Sequence, residues 1–152
     1  MTSGSGVFLV DTNVLGYAYD PADPTKRERA IAVVEHLAST QSGALTAQIL
    51  GEFFVTVTRK ITPPLTSAEA ERSVANYLRS WQVYGVPPAD VGQAVRCTRR
   101  HGFSYWDALI WAVVKRRGVG MILSEDFTDG ARVEGVRFIN PFAARFELPI
   151  LA

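Results

Sequence analysis

Val7-Phe8-Leu9-Val10-Asp11-Thr12-Asn13 is the stretch on which the fold turns. Four consecutive apolar residues closed abruptly by an acid predict a short buried strand whose C-terminal end presents a charge. In parallel α/β sheets that end opens on the crevice where ligands sit. Two readings of Asp11 stay open from these residues alone: a charge aimed into such a crevice, or an Asx turn or cap that starts the next helix.

Outward from this run, strand and helix signals alternate. Short β-prone runs lie at Val7–Val10, around Trp81–Tyr84, at Met121–Leu123 and at Val136–Ile139. Pro21 to Pro24, Pro63-Pro64 and Pro87-Pro88 punctuate the chain, each followed within a few residues by a helix-start signal. Asp23-Pro24-Thr25 precedes a helix over Lys26–Ser39, and Thr46 opens one to about Lys60. Thr66 with Glu69 forms a capping-box pattern before a helix to about Arg79; Asp90 with Gln93 gives a weaker box before a helix to about His101, and Ser104 with Asp107 a third. Strands separated by helices, some helices being adjacent, indicate an α/β fold with a central parallel sheet covered on both faces. The strand order is not legible at this level.

A chain of 152 residues fits one domain, expected over 1–152, and folding at this size buries roughly 68–70% of the unfolded surface. Cys97 is the single cysteine, which excludes an internal disulfide and suits a reducing compartment. Met1 to Gly6 is small and polar, without the basic and apolar stretch of a signal peptide. The longest apolar run, Ala108 to Val114, is far too short to span a bilayer. The expectation is a soluble cytoplasmic protein.

The formal net charge of +1 argues neither for nor against a polyanionic partner, so the distribution carries the information. All but Lys26, Lys60 and Lys115 of the 16 basic residues are arginine. The segment Arg96 to Arg117 holds Arg96, Arg99, Arg100, Lys115, Arg116 and Arg117 against one acid, Asp107. Arginine's planar fork suits phosphate oxygens, so this stripe reads either as a nucleic-acid backbone contact or as a solvated helix face.

Four acids stand at the ends of elements. Besides Asp11, Asp107 falls in a stretch, Tyr105 to Val114, that is apolar nearly all round and so should be buried. A buried carboxylate is costly unless paired, hydrogen-bonded or bound to metal; capping by answering Ser104 is the other role open to it, and the two are compatible. Asp126 follows Met121-Ile122-Leu123-Ser124-Glu125, just past a strand end, with Glu125 and Asp129 as competitors for any role there. Glu52 lies on the flank of a helix whose apolar face is Ile49, Leu50, Phe53, Phe54 and Val57, where a solvated position is the simpler reading. If the strands bearing Asp11 and Asp126 are neighbours, the acids converge, and three or four unpaired carboxylates raise one another's pKa unless a cation compensates. All-oxygen ligation suits Mg²⁺ or Mn²⁺; His36, His101 and Cys97 show no zinc-like spacing.

In this order, strand-Asp11-Thr12-Asn13, helical Glu52, Ser104-Tyr105-Trp106-Asp107-Ala108-Leu109-Ile110 and Leu123-Ser124-Glu125-Asp126-Phe127, the chain resembles the PIN-domain nucleases, most of all the VapC-type toxins of toxin–antitoxin pairs. The resemblance runs from Val7 to about Pro141. It implies a PIN-like three-layer sandwich with a core over about 7–141, a metal held by Asp11 and Asp107 directly and by Glu52 and Asp126 directly or through water, and support of the acids by Thr12, Asn13 and Ser124. It also implies a Mg²⁺-dependent endoribonuclease that cleaves RNA through metal-activated water, a VapB-type antitoxin partner and a homodimer. Arg99, Arg100, Arg116 and Arg117 are the candidates to hold RNA, with Tyr105 or Trp106 able to stack on a base if exposed. Phe53-Phe54 and the Trp81, Tyr84 region are candidate interface aromatics, equally able to fill the core.

Rival readings are weaker on their motifs. A haloacid-dehalogenase phosphatase wants a second Asp two residues after the first, where this chain has Asn13; a receiver domain wants a lysine after an apolar strand, and none of the three lysines follows one. A housekeeping RNA-processing PIN nuclease and an inactive RNA- or protein-binding PIN scaffold remain as alternatives, the second disfavoured because all four acids are present.

Overall fold

The first apolar run forms β1 (Phe8–Val10), all three residues of which are buried. In the computed structural model, which describes residues 6–152, the polar start at Met1 to Ser5 lies outside the described residues. β1 is flanked by β2 (Gly43–Thr46) and β4 (Met121–Leu123), both parallel to it. β3 (Gln82–Tyr84) extends the sheet beyond β2, and β6 (Val136–Ile139) extends it beyond β4. A two-residue strand, β5 (Arg132–Val133), closes that edge antiparallel to β6, giving the order β3-β2-β1-β4-β6-β5. The β5–β6 turn is Glu134-Gly135, with φ of 50° and 89°, the positive pair that a tight two-residue hairpin demands.

Successive strands run outward in opposite directions from β1 and β4, so the sheet's order reverses between them. That pair is the topological switch point, and its carboxyl ends flank the crevice expected to bind ligands. Val10 pairs with Leu123 across it, which sets Asp11 and Ser124 side by side.

Helices α1 (Thr12–Tyr17), α2 (Pro24–Thr40), α3 (Ala47–Val55), α4 (Ser67–Ser80), α5 (Pro88–His101) and α6 (Tyr105–Arg117) follow. α3 continues through a π-helical turn at Thr56–Lys60, so the expected run from Thr46 to Lys60 is helical throughout, with Thr46 as its cap. Thr66 and Glu69 make the reciprocal capping box. α6 buries seven consecutive residues, Ala108 to Val114. Trp111 is wholly enclosed, and its indole N–H donates to the Val133 carbonyl at 3.1 Å. This is an α/β architecture with a mostly parallel central sheet and, among the described residues, six α-helices. No helix among the described residues is long and apolar enough to cross a membrane.

One expectation needs correction, one strand was not legible, and one open alternative is decided. Asp90 does not start α5: the helix begins at Pro88, and the buried Asp90 carboxylate instead receives the Arg116 Nε–H on both oxygens, at 2.8 and 3.1 Å. A buried charge demands a partner more urgently than a helix end demands a cap. β2 was not read from Gly43-Ala44-Leu45-Thr46 because glycine and alanine are poor strand formers. Gly43 is required there, since a Cβ at that position would overlap the Trp81 ring. Trp81 and Tyr84 are themselves buried, as is Phe53, and only Phe54 of the four interface candidates reaches the surface.

Candidate functional site

Asp11 serves both roles left open for it. Its N–H extends the β1–β4 ladder by donating to the Leu123 carbonyl at 3.0 Å, and the residue then caps α1 in extended conformation. One carboxylate oxygen accepts the Thr12 N–H and the other the Ser124 hydroxyl, each at 2.8 Å. Ser124 is fully engaged: while donating to Asp11 it accepts the Asn13 amide and the Asp126 N–H, both at 3.1 Å. The same Asn13 amide nitrogen donates to the Asp126 carboxylate at 3.1 Å. Thr12 turns the other way, its hydroxyl donating to Glu52 at 3.0 Å, while Gln48 donates to the second Glu52 oxygen at 2.7 Å.

Asp107 enters from the first turn of α6, where its N–H donates to the Ser104 hydroxyl at 3.3 Å. Asp11, Asp107 and Asp126 each offer a carboxylate oxygen, and the three oxygens lie within 4.8 Å of one another. Glu52, an exposed residue, stands outside this triad but close enough to raise the Asp107 pKa. The structure therefore brings together three of the four acids and sets the fourth at the rim.

Burial, against the hydrogen bonds from Ser124 and Thr12 and with added repulsion from Asp126 and Asp107, pushes the Asp11 carboxyl up from 3.8 to about 6. The Asp107 carboxyl is also raised, by its own burial first; the Ser104 hydroxyl opposes this, and Asp126 and Glu52 add to it. Among the described residues no lysine, arginine or histidine forms a salt bridge with any of the three. Clustered acids without a protein cation and with oxygen donors only fit a hard divalent metal ion.

The basic stripe is largely paired with other parts of the protein. Arg96, His101 and Lys115 converge on Glu134 at 3.2, 2.8 and 2.6 Å. Arg116 is bound to Asp90, and Arg117 lies over the Tyr84 ring at 4.8 Å. Arg116 and Arg117 also sit roughly 14 Å along α6 from Asp107 at 1.5 Å per residue. Arg99 and Arg100 are exposed, form no salt bridge among the described residues, and end α5 just before the turn into α6. Trp106, beside Asp107, is 60% exposed, with Tyr105 edge-on to its ring at 4.9 Å.

Sequence reasoning left Glu125 and Asp129 without roles. Asp129 accepts the Asn140 N–H at 2.9 Å and the Arg145 Nε–H at 2.8 Å, tying down the chain after β6, and these contacts hold its carboxyl below the usual range. Glu125 is bound by Tyr17 and Lys26. Neither partner was singled out as a site residue; the visible signal was the four-residue spacing of Asn13 and Tyr17, which shares a helical face once α1 is recognised.

The fold is that of the PIN domain, seen in the VapC toxins. No protein-family model and no curated protein matches the sequence, but solved structures do. The VapC20 toxin of Mycobacterium tuberculosis, described as cleaving the sarcin-ricin loop, superposes with a TM-score of 0.60 at 21% identity, covering 86% of this chain and 98% of its own. A toxin–antitoxin complex from Klebsiella pneumoniae gives 0.65 at 16% identity over 88% and 97%. The DNA-bound VapBC complex of Salmonella typhimurium gives 0.60 at 17% over 88% and 96%. At these identities the likeness is one of fold.

Proposed function

We propose that this chain is a single PIN domain acting in the cytoplasm as a Mg²⁺- or Mn²⁺-dependent endoribonuclease, the toxin of a VapBC-type pair. The observation that carries the reading is the convergence of Asp11, Asp107 and Asp126 at the switch point of the sheet, with no salt-bridged cation on them among the described residues. Asp11 and Asp107 would hold the metal directly, and Asp126 and Glu52 directly or through water. Held there, a divalent ion would supply Lewis acidity and lower the pKa of a water for hydrolysis of a phosphodiester.

The chain's own residues orient and position. Ser124 and the Thr12 N–H fix the Asp11 carboxylate, and Asn13 fixes that of Asp126. Arg99 and Arg100 hold the RNA backbone near the start of α6, while Arg116, tied to Asp90, and Arg117, set over the Tyr84 ring, contribute less. Trp106 offers an exposed face for an unpaired base. An apolar groove of about 600 Å³ between α3 and α4, lined by Leu50, Phe54, Val74, Leu78 and Val83, is the surface this reading offers to the antitoxin partner. Self-association as a homodimer belongs to the same reading, and sedimentation showing only monomer at micromolar concentration would remove it.

The test is to incubate purified protein with total cellular RNA and Mg²⁺ or Mn²⁺, map the ends, and repeat with chelator and with Asp11→Asn and Asp107→Asn. Cleavage should yield 5′-phosphate and 3′-hydroxyl ends and disappear in all three controls. Cleavage that survives chelator, or 2′,3′-cyclic phosphate ends, would exclude the mechanism.

A further inference from the structure

Glu125 sits between Ser124 and Asp126, yet its carboxylate is taken up on the other side of the loop. Oε1 accepts the Tyr17 hydroxyl at 2.8 Å, and Oε2 accepts the Lys26 ammonium at 2.7 Å. Lys26 also donates to the Tyr17 oxygen at 3.3 Å, so the three groups close a triangle. The ammonium lies 4.7 Å from the Tyr17 ring centroid and 5.4 Å from that of Phe142, and the two rings pack edge to face at 5.1 Å. Salt bridge and rings together lock α1, α2 and the residue after Pro141 around one carboxylate. Lys26 and Glu125 are 34% and 22% exposed at the side chain, sheltered enough for the pair to hold its geometry.

The backbone of Glu125 carries this anchoring to the acids. Its N–H donates to the Asn13 side-chain oxygen at 3.4 Å. An amide whose oxygen faces that N–H has the place of its nitrogen fixed by its own planarity, and the Asn13 nitrogen donates to Ser124 and Asp126 at 3.1 Å each. Asn13 and Tyr17 are four residues apart on α1, so one helical face grips the loop at two points a turn apart. A loop held at two points cannot pivot about either.

We infer that Tyr17, Lys26 and Glu125 form a positioning clamp, none of them a metal ligand or an RNA contact, which sets the Asp126 carboxylate through Asn13. The inference rests on the metal-site reading above and assigns to it three residues that the acidic triad leaves unused. Outer groups that orient a ligand commonly change metal affinity or activity by roughly 10–100-fold when removed. A clamp acting through an intervening amide belongs at the low end of that range.

The test is Mn²⁺ binding to RNA-free protein by electron paramagnetic resonance, together with kcat and KM for RNA. It compares Tyr17→Phe, Lys26→Met, Lys26→Arg, Glu125→Gln and Asp126→Asn with the unaltered protein, folding being checked by circular dichroism. Tyr17→Phe keeps the packed ring and removes only the hydroxyl, so it separates the clamp from a folding defect. Tyr17→Phe, Lys26→Met and Glu125→Gln should each weaken Mn²⁺ binding about tenfold and lower kcat with KM nearly constant, Lys26→Arg should restore most of the loss, and Asp126→Asn should lose more. Unchanged Mn²⁺ affinity in both Tyr17→Phe and Lys26→Met would overturn the clamp. So would a raised KM alone in Lys26→Met, which would make the lysine an RNA contact, or a loss in Glu125→Gln equal to that in Asp126→Asn, which would make Glu125 a ligand. If the unaltered protein neither binds Mn²⁺ nor cuts RNA, the nuclease reading itself falls and the clamp's role falls with it.

Discussion

Replacing Asp11 by asparagine should make the metal-free protein more stable, although it should end activity. Asp11 is 5% exposed, and its carboxyl is raised from 3.8 to about 6. Holding that group ionised in the fold at pH 7.5 therefore costs roughly 3 kcal/mol relative to the unfolded chain. The folded state binds the extra proton between pH 3.8 and 6, so stability falls as pH rises through that window and the cost is complete above it. Asparagine escapes the charge but not the geometry: one Asp11 oxygen accepts the Ser124 hydroxyl, and Ser124 already accepts two other donors. The new amide would be a third, and losing one such bond costs about 1 kcal/mol. The net gain is about 2 kcal/mol, or about 4–8 °C in Tm for a domain of this size. Thermal unfolding in chelator should show this rise at pH 7.5 and its loss as pH falls through the window from 6 to 3.8, because below 3.8 Asp11 is protonated in both states. A variant less stable than the parent at pH 7.5, or a difference independent of pH, would refute the assignment of Asp11 as a strained, ion-demanding carboxylate.

Millimolar Mg²⁺ should raise the Tm of the unaltered protein through binding to the folded state only, more at pH 7.5 than at pH 5 and much less in Asp11→Asn; dye-monitored melting checks it. Arg116→Ala should leave the buried Asp90 without its partner. Removing one member of a buried pair costs 3–5 kcal/mol, and the partial exposure of Arg116 reduces this to about 2–3 kcal/mol; urea unfolding reads the loss, and RNA cleavage by the folded fraction should persist. Trp106→Ala should leave the melting temperature within a degree or so while raising KM for single-stranded RNA about tenfold, the scale of one lost base stack, and Trp106→Phe should recover most of it.

What was legible in the chain follows from how local its cause was. Val7 to Val10 with Asp11, and the capped apolar run from Ser104 through Asp107, announce themselves because burial and charge collide within a few residues. The convergence of these acids was a conditional expectation, and the β1–β4 pairing meets its condition. β2 escaped because Gly43 and Ala44 have little strand preference, and the space Gly43 leaves is taken by Trp81, 38 positions on. α1 escaped because six residues containing Gly16 make too short a periodic pattern, and the Tyr17–Glu125 contact went with it. Glu52 was rightly expected at a solvated flank, but its bond from Thr12 crosses 40 residues and no helical wheel contains it. The pairing of Arg96, Lys115 and Arg116 was not legible in the stripe, because their counter-charges, Glu134 and Asp90, arrive from other elements.

The central claim is that Asp11, Asp107 and Asp126 exist as a group to hold a divalent ion. Its most direct test is a crystal of the unaltered protein soaked in millimolar Mn²⁺ and measured at a wavelength where manganese scatters anomalously. An anomalous peak between the three carboxylates, absent from Asp11→Asn crystals treated alike, is the expected result. A peak elsewhere, no peak at all, or Asp11 and Asp107 carboxylates found on opposite faces of the protein would contradict it.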